Sequence, residues 1–279
     1  MSNEAASATL EVTILGCGSS GGVPRADGEW GTCDPANPKN MRSRCSLLVR
    51  KLGEGAEAET TVIVDTSPDL RLQTAQAGAK RLDAILLTHD HADQVHGIDD
   101  VRAFFIRQRS KIACHMDRVT DASMMRRFGY IFEPEGGYPA ICERRGLPAH
   151  GVRWQVDGPS GAIPVVTFDQ DHGGVRSVGY RFGDVAYSSD VVDLDEAAFA
   201  ALVGLDVWIV DALRYRPHPT HAHVELTLEW IARLKPRRAI LTNLHIDLDF
   251  ETLTAELPPG VEVAFDGLRF QHELSGNFT

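Results

Sequence analysis

The chain has 279 residues, of which 43% are hydrophobic and 24% are charged, and its formal net charge is −11. The length suits one large domain or two small ones, with a substantial core. The acidic balance argues against a broad nucleic-acid surface, which needs excess lysine and arginine. No apolar run approaches the roughly 20 residues of a membrane span, so no membrane partner is expected. The five cysteines form no Cys-x-x-Cys pair, which indicates a reduced, cytoplasmic protein.

Short strand and helix signals alternate along almost the whole chain. Residues 1–8 are small and polar, so we expect a disordered N-terminus before a single domain over residues 9–274. Helical patterns appear at 69–78, at 99–108 and after Val224. Strands are predicted at 10–15, 46–50, 61–65, 84–87, 111–114, 163–168, 177–182, 185–187, 207–210, 238–241 and 261–264. This mixture predicts an α/β (α+β) fold with two sheets covered by helices.

The segment 118–150 fits this alternation poorly. It carries several methionines and aromatic residues but no clear strand pattern. Two interpretations stay open, a packed surface excursion and a lid over a substrate, because long excursions in compact domains often cover active sites.

The end of the run at 82–87 carries the chemistry. His89, His91 and Asp93 follow it in a His-x-His-x-Asp pattern. Imidazole and carboxylate groups gathered in a few residues are the ligands that zinc, iron or manganese requires. The sequence therefore predicts a metal site at this strand end.

Further candidate ligands follow other β-rich runs. His172, Asp190 and His245 each come just after an apolar stretch. Any one of them alone is typical of a cap or a turn. Taken together with the His-x-His-x-Asp pattern, they indicate a shared site built from several strand ends.

The order of these motifs resembles the metallo-β-lactamase superfamily. Within that superfamily the chain resembles the PhnP-type phosphodiesterases, which open the cyclic phosphate of phosphoribosyl 1,2-cyclic phosphate. The supporting segments are 15–24 (LGCGSSGGVP), 64–69 (VDTSPD), 96–100 (HGIDD) and Asp266-Gly267. The resemblance covers nearly the whole chain and implies an αβ/βα sandwich, in which two packed mixed β-sheets are flanked by helices.

The resemblance also implies roles for individual residues. Two divalent metal ions, zinc or manganese, are expected. The first would be held by His89, His91 and His172, the second by Asp93 and His245, with Asp190 bridging both. Asp65 would support the ligands by fixing a histidine tautomer. The leaving group would receive its proton from His221, with His223 as the second candidate, and Asp93 is counted among the catalytic groups.

Gln94 departs from the superfamily pattern, which has histidine after the aspartate. Three interpretations stay open: Gln94 is an oxygen ligand, it is not a ligand, or the second site is vacant. An amide oxygen would weaken the second site for zinc and favour manganese.

Two other features have simpler explanations than binding. The loop 16–22 is rich in glycine, which favours a tight turn shaping the site edge, although phosphate contact stays an alternative. Cys33 and Cys45 lie where some PhnP-type enzymes carry a structural zinc site, but two cysteines fall short of the four ligands such a site needs.

The function predicted from the sequence is a metal-dependent phosphodiesterase acting on a small cyclic or nucleotide-like phosphate ester. Two alternatives remain: a ribonuclease Z-like enzyme acting on tRNA, and a non-catalytic sensor of nucleotide or phosphate with an impaired second metal site. The acidic charge argues against the tRNA enzyme. A homodimer is compatible with the sequence but not indicated by it.

Overall fold

The computed structural model of the protein describes residues 9–53 and 58–274, so the predicted disordered N-terminus lies outside the described residues. The strands are β1 (Thr9–Gly16), β2 (Ser46–Leu52), β3 (Glu59–Val64), β4 (Ala84–Leu86), β5 (Ile112–Met116), β6 (Cys142–Gly146), β7 (Arg153–Val156), β8 (Ile163–Asp171), β9 (Arg176–Phe182), β10 (Val185–Ser188), β11 (Val207–Asp211), β12 (Arg238–Thr242), β13 (Val261–Val263) and β14 (Arg269–Glu273). The helices are α1 (Leu70–Gln76), α2 (Ala92–Val95), α3 (Arg102–Gln108), α4 (Arg118–Phe132), α5 (Glu196–Ala201), α6 (Val224–Leu234) and α7 (Phe250–Glu256). None of these described helices is long and apolar enough to cross a membrane.

The strands form two mixed sheets of seven strands each. The first has the order β14-β1-β2-β3-β4-β5-β6, and the second has the order β13-β12-β11-β10-β9-β8-β7. In the first sheet the strands from β3 to β6 are parallel, and in the second the strands from β10 to β13 are parallel. Parallel strands end at the same edge of a sheet, so the loops after them are brought together.

Side chains of the first sheet alternate between two hydrophobic clusters. Leu47 and Val49 of β2 face the large core shared with the second sheet, whereas Leu48 between them faces a smaller cluster under the helices. Val62 and Val64 alternate with Ile63 in the same way in β3. Because successive side chains of a strand point to opposite faces, a continuous apolar run is what a strand buried on both faces requires.

Helices cover the outer faces of both sheets. Leu70 of α1, Phe104 of α3 and Met124 of α4 belong to the smaller cluster on the first sheet, while Phe199 of α5 and Trp230 of α6 join the large core with the second sheet. The predicted sandwich of two mixed sheets flanked by helices is therefore confirmed.

Two parts of the segment 118–150 continue the alternation of helices and strands, contrary to the sequence analysis, whereas its possible role as a lid stays a prediction. Residues Arg118–Phe132 form α4, and Cys142–Gly146 form β6, which pairs with β5 in parallel. Only Cys142 of β6 is buried and the other four residues are exposed, because β6 is an edge strand. A charged edge strand shows no hydrophobic alternation, which is why its sequence gave no strand signal.

Several strands of the two sheets end in polar residues with left-handed backbones. Asp65 follows β3 with φ 61°, Asp190 follows β10 with φ 54°, and Asn243 follows β12 with φ 62°. Asp and Asn tolerate this conformation better than most residues, and it turns the chain sharply at the end of each strand. Tyr180 Oη donates to the Leu87 carbonyl oxygen at 2.7 Å, which ties the second sheet to the loop that carries His89.

Candidate metal centre

Three histidines from two loops converge at this edge. His89 and His91 follow β4, and His172 follows β8. The ring centroid of His89 lies 4.4 Å from that of His91 and 5.0 Å from that of His172, and one ring nitrogen of each of the three lies within 4.8 Å of the others. His91 is exposed, so the cluster opens to solvent on that side.

Burial sets the protonation state of His89, whose side chain is almost fully covered. Burial lowers the pKa of His89 to about 4, so the ring is neutral near pH 7. Its Nδ1 lies 3.0 Å from Thr88 Oγ1, whereas its Nε2 is buried without a hydrogen-bond partner. A buried imidazole nitrogen left with a free lone pair is costly unless it binds something, and a metal ion is the natural partner.

Asp65 acts on His89 through Thr88. The Thr88 hydroxyl donates to Asp65 Oδ2 at 2.9 Å, and the Thr88 backbone N–H donates to Asp65 Oδ1 at 2.8 Å. With its hydrogen committed to Asp65, the Thr88 oxygen accepts from His89 Nδ1–H. Asp65 therefore fixes the tautomer of His89 as expected for a supporting carboxylate, but indirectly.

His172 is held in the same tautomer by a backbone group. Its Nδ1 donates to the Thr220 carbonyl oxygen at 2.7 Å, which leaves Nε2 as the atom that faces the cluster. This Nε2 lies 3.4 Å from His91 Nδ1 and 3.9 Å from Asp190 Oδ1. The side chain of Asp190 is buried and so supplies a carboxylate directly beside the three rings.

These four side chains suit a divalent metal ion. Three imidazoles and one carboxylate are a common ligand set for zinc and for manganese. The unpartnered Nε2 of His89 and the fixed tautomer of His172 both present lone pairs toward the cluster.

Gln94 and Asp93 lie on the other side of Asp190. Gln94 is buried, and its Nε2 donates to Asp190 Oδ2 at 3.1 Å and to Asp93 Oδ2 at 3.3 Å. Gln94 therefore presents hydrogen-bond donors, and not its carbonyl oxygen, to the two carboxylates. Burial and the neighbouring Asp190 raise the pKa of Asp93.

His221 lies between the cluster and a buried carboxylate that sequence reasoning missed. His221 Nδ1 donates to Asp211 Oδ2 at 2.9 Å and lies 3.9 Å from Asp190 Oδ1. Burial lowers the pKa of His221, but the carboxylates of Asp211, Asp190 and Asp93 together raise it to about 9, with Asp211 contributing most of the three. Asp211 is fully buried at the end of β11 and also accepts from the Val191 N–H at 3.1 Å.

Among the described residues, His245 belongs to neither group of candidate ligands whose atoms lie within 4.8 Å of one another, so its role as a ligand stays a prediction. Its Nε2 lies 2.5 Å from an Arg25 guanidinium nitrogen, and its Nδ1 lies 3.1 Å from Asp247 Oδ2. Asn243, two residues earlier, is the residue of this strand end that reaches the site, with its Nδ2 3.2 Å from His221 Nδ1. The signal that could have identified Asn243 is its position directly after the apolar run of β12.

The two remaining histidine candidates differ in their neighbours. His223 is the residue before α6 and makes no side-chain capping hydrogen bond there. His218, which sequence reasoning passed over, has its ring centroid 5.1 Å from that of His221 and its Nδ1 3.2 Å from Thr220 Oγ1.

The glycine loop and the cysteines have structural explanations. A Cβ at Gly16 would lie 2.1 Å from the Arg44 carbonyl oxygen, so this position requires glycine for close packing. Cys33 Sγ lies 3.8 Å from an Arg42 guanidinium nitrogen, and Cys45 is buried beside Thr242. Within the described part of the chain neither cysteine belongs to a group of metal-binding side chains.

A cavity of about 620 Å³ opens beside Asp93. Arg25, Arg44 and Pro68 line it together with Ser20 and Asp93. Its volume is within the range of small-molecule sites.

Comparison with known proteins decides the family. The Beta-lactamase superfamily domain matches residues 60–246. The chain belongs to the β-lactamase superfamily. A solved structure described as a new diphosphatase from the PhnP family is 31% identical, with a TM-score of 0.83 over 95% of this chain and 98% of that chain. The resemblance to PhnP-type enzymes is thereby confirmed.

Other relatives share less with this chain. Zn²⁺-bound PqqB from Methylobacterium extorquens is 18% identical, with a TM-score of 0.69 over 93% of this chain and 99% of that chain. The long form of RNase Z from yeast is 15% identical, with a TM-score of 0.65 over 97% of this chain and 42% of that chain. At these identities the likeness shows the fold alone.

One curated relative is much longer than this chain. An octanoyltransferase of Porphyromonas gingivalis is 30% identical over 266 residues, which are 93% of this chain and 51% of that protein. The chain thus spans about half the length of the curated relative it matches.

The superfamily membership and the His/Asp cluster together identify a metal-dependent hydrolase.

Proposed function

We propose that the protein hydrolyses a phosphodiester bond in a small cyclic or nucleotide-like substrate. The observation that carries this proposal is the contact between His221 and Asp211 at the edge of the histidine cluster, 3.9 Å from Asp190. This contact sets a protonated imidazole beside candidate metal ligands. Hydrolysis of a phosphate ester needs an activated water to attack phosphorus, which a bound metal ion would supply, and a proton for the leaving oxygen, which the imidazole would supply.

Four residues would hold the metal ion, namely His89, His91, His172 and Asp190. When bound, the ion would supply Lewis-acid polarisation of a phosphate oxygen and would lower the pKa of a water molecule. Thr88 and the Thr220 carbonyl hold two of the rings in the tautomer that ligation requires.

His221 would act as the general acid. Asp211 accepts a hydrogen bond from His221 Nδ1–H, so the proton available to a leaving alkoxide is the one on Nε2. The buried carboxylate also stabilises the imidazolium form, which keeps this proton in place at neutral pH. His223 has no comparable carboxylate contact among the described residues, which favours His221 of the two candidates.

The cavity beside Asp93 supports a small anionic substrate. Its two arginines, Arg25 and Arg44, are suited to bind phosphate oxygens, although both also contact acidic side chains. A tRNA substrate would need a wider basic surface, which the net charge of −11 does not favour.

A diphosphate bond is the second candidate substrate. The 31% identical PhnP-family structure is described as a diphosphatase. The same groups could hydrolyse a phosphoanhydride, because a leaving phosphate depends less on protonation than a leaving alkoxide does.

A substrate panel tests the proposal. Metal-loaded protein would be assayed with bis-p-nitrophenyl phosphate, a cyclic ribose phosphate, a nucleoside diphosphate derivative, p-nitrophenyl phosphate, a chromogenic β-lactam and a precursor tRNA. We expect turnover of the diesters and little of the monoester or the β-lactam. Faster turnover of the monoester, the β-lactam or the tRNA would contradict the proposal, whereas exclusive turnover of the diphosphate would favour the second candidate.

A further inference from the structure

The side chain of Gln94 lies where the superfamily pattern would require a second metal ligand. Its backbone is fixed by two hydrogen bonds, from Gln94 N–H to the His91 carbonyl at 3.0 Å and from the Thr66 N–H to the Gln94 carbonyl at 2.8 Å. Its side chain is 1% exposed and donates both hydrogens of Nε2, one to Asp93 and one to Asp190. The amide group therefore joins the two carboxylates that a second ion would have to join.

We propose that the centre binds one metal ion, and that the Gln94 amide takes the place of a second ion between Asp93 and Asp190. The proposal rests on the proposed function only in taking His89, His91 and His172 as the metal site. A neutral amide donor satisfies two buried carboxylate oxygens without adding charge.

Little else on this side could ligate a second ion. His245 Nε2 lies 2.5 Å from an Arg25 guanidinium nitrogen, and this neighbouring guanidinium opposes a cation there. His245 Nδ1 lies 3.1 Å from Asp247 Oδ2 but makes no hydrogen bond.

His172, Asp190 and His221 form a second group of candidate ligands, whose ligand atoms lie within 4.8 Å of one another. However, the Nδ1 hydrogen of His221 is committed to Asp211, and the other two side chains are already assigned to the first ion. Asn243, at the end of β12, could offer a second ion only its side-chain amide. Asp93 and Asp190 would then be the only carboxylate or imidazole ligands, fewer than the three protein ligands of a catalytic zinc site.

The orientation of the Gln94 amide distinguishes binding of one ion from binding of two. In the structure Gln94 Oε1 is buried without a hydrogen-bond partner. Turning the amide over would direct this oxygen at Asp93 and Asp190, which is favourable only with a cation between them. The two orientations therefore correspond to one ion and to two ions, and metal stoichiometry distinguishes them.

The test is a metal titration of the full-length, metal-stripped protein, followed by calorimetry with Zn²⁺ and separately with Mn²⁺. Metal content after dialysis would be measured by elemental analysis. We expect one equivalent bound tightly by the wild type. Two equivalents of comparable affinity in the wild type would overturn the proposal.

Variants supply the matched comparison. Gln94→His combined with Asn243→His adds two imidazoles on this side and should raise the stoichiometry to two, whereas Gln94→Ala removes the amide without adding a ligand and should stay at one. A double variant that still binds one ion would overturn the idea that Gln94 occupies the place of an ion. Histidine tolerates the left-handed backbone of residue 243 better than most residues.

A further variant keeps the test decisive if the double variant does not fold. Gln94→Glu is isosteric but sets a third carboxylate beside Asp93 and Asp190, so its melting temperature with one equivalent of metal should fall below that of the wild type and recover with a second equivalent. Unchanged stability in Gln94→Glu would contradict the proposal. None of these measurements uses a substrate, so failure of the phosphodiester assay would leave this inference standing, and the reverse also holds.

Discussion

The two halves of the site are built at the same edge of the fold but leave different atoms free. In the three-histidine half, formed by His89, His91 and His172, oxygen atoms near His89 and His172 take the Nδ1 hydrogen of each ring. Nε2 of His89 is left without a hydrogen-bond partner, and Nε2 of His172 contacts His91 Nδ1. In the amide half, formed by Gln94 and Asn243, Gln94 Nε2 donates to Asp93 and Asp190, and the Asn243 side-chain amide lies beside His221. The comparison teaches that metal binding depends on which side-chain atoms are left without a hydrogen bond, and not on how many polar residues lie close together.

Removing ligands from the three-histidine half should have the largest effect. The His89→Ala/His91→Ala double variant should lose its metal and with it all turnover above background, since two of the three imidazoles are gone. Elemental analysis and a diester assay would measure both. His96→Ala is the matched control, because His96 packs against Phe128 with ring centroids 5.7 Å apart and should keep its metal. Full metal retention in the double variant would contradict the ligand assignment.

His221 should matter for turnover but not for metal content. His221→Ala should lower kcat for a diester by roughly 10²–10⁴-fold, the usual worth of a positioned acid. His223→Ala, two residues along the chain, should cost far less. If the loss follows His223 instead, the wrong histidine has been assigned as the acid.

Thr88 offers a smaller test of the three-histidine half. Thr88→Val keeps the shape but breaks the link from His89 to Asp65, and should weaken metal binding by about 10–100-fold. Thr66→Val is the control, because the Thr66 hydroxyl donates to the Val95 carbonyl and contacts no histidine. Equal affinities in the two variants, measured by competition with a chelator, would show that the link has no influence on the ion.

The smallest expected change is a shift in pH dependence. Burial lowers the pKa of His221, whereas Asp211, with smaller contributions from Asp190 and Asp93, raises it to about 9. An acid must be protonated to act, so kcat should fall as pH rises through this pKa. Asp211→Asn removes the carboxylate that raises the pKa, so the alkaline limb should move to lower pH. If the alkaline limb of the kcat–pH profile does not move at matched metal content, Asp211 does not set the pKa of the acid.

The sequence predicted the sandwich and its strand ends because buried strands produce long apolar runs. It missed β6, β7 and β14, which are short or charged strands at or near the edges of the sheets. Such strands bury at most one face against a core, so they lack the apolar runs by which a strand is recognised in the sequence.

The site was harder to predict than the fold. His89, His91 and Asp93 are close in sequence, so their pattern predicts proximity directly. Asp211 could not be found this way, because its pairing with His221 depends on the path of the loop between them. At the end of β12 the chemistry favours His245 as a ligand, which stays a prediction, whereas the left-handed turn at Asn243 brings the earlier residue beside His221.

Anomalous scattering from crystals grown with zinc or manganese tests the central claim most directly. The account predicts one strong peak among His89, His91, His172 and Asp190, with Gln94 Nε2 still within hydrogen-bond distance of Asp93 and Asp190. A second peak of comparable height between Asp93 and Asp190, or no peak among the three histidines, would contradict it.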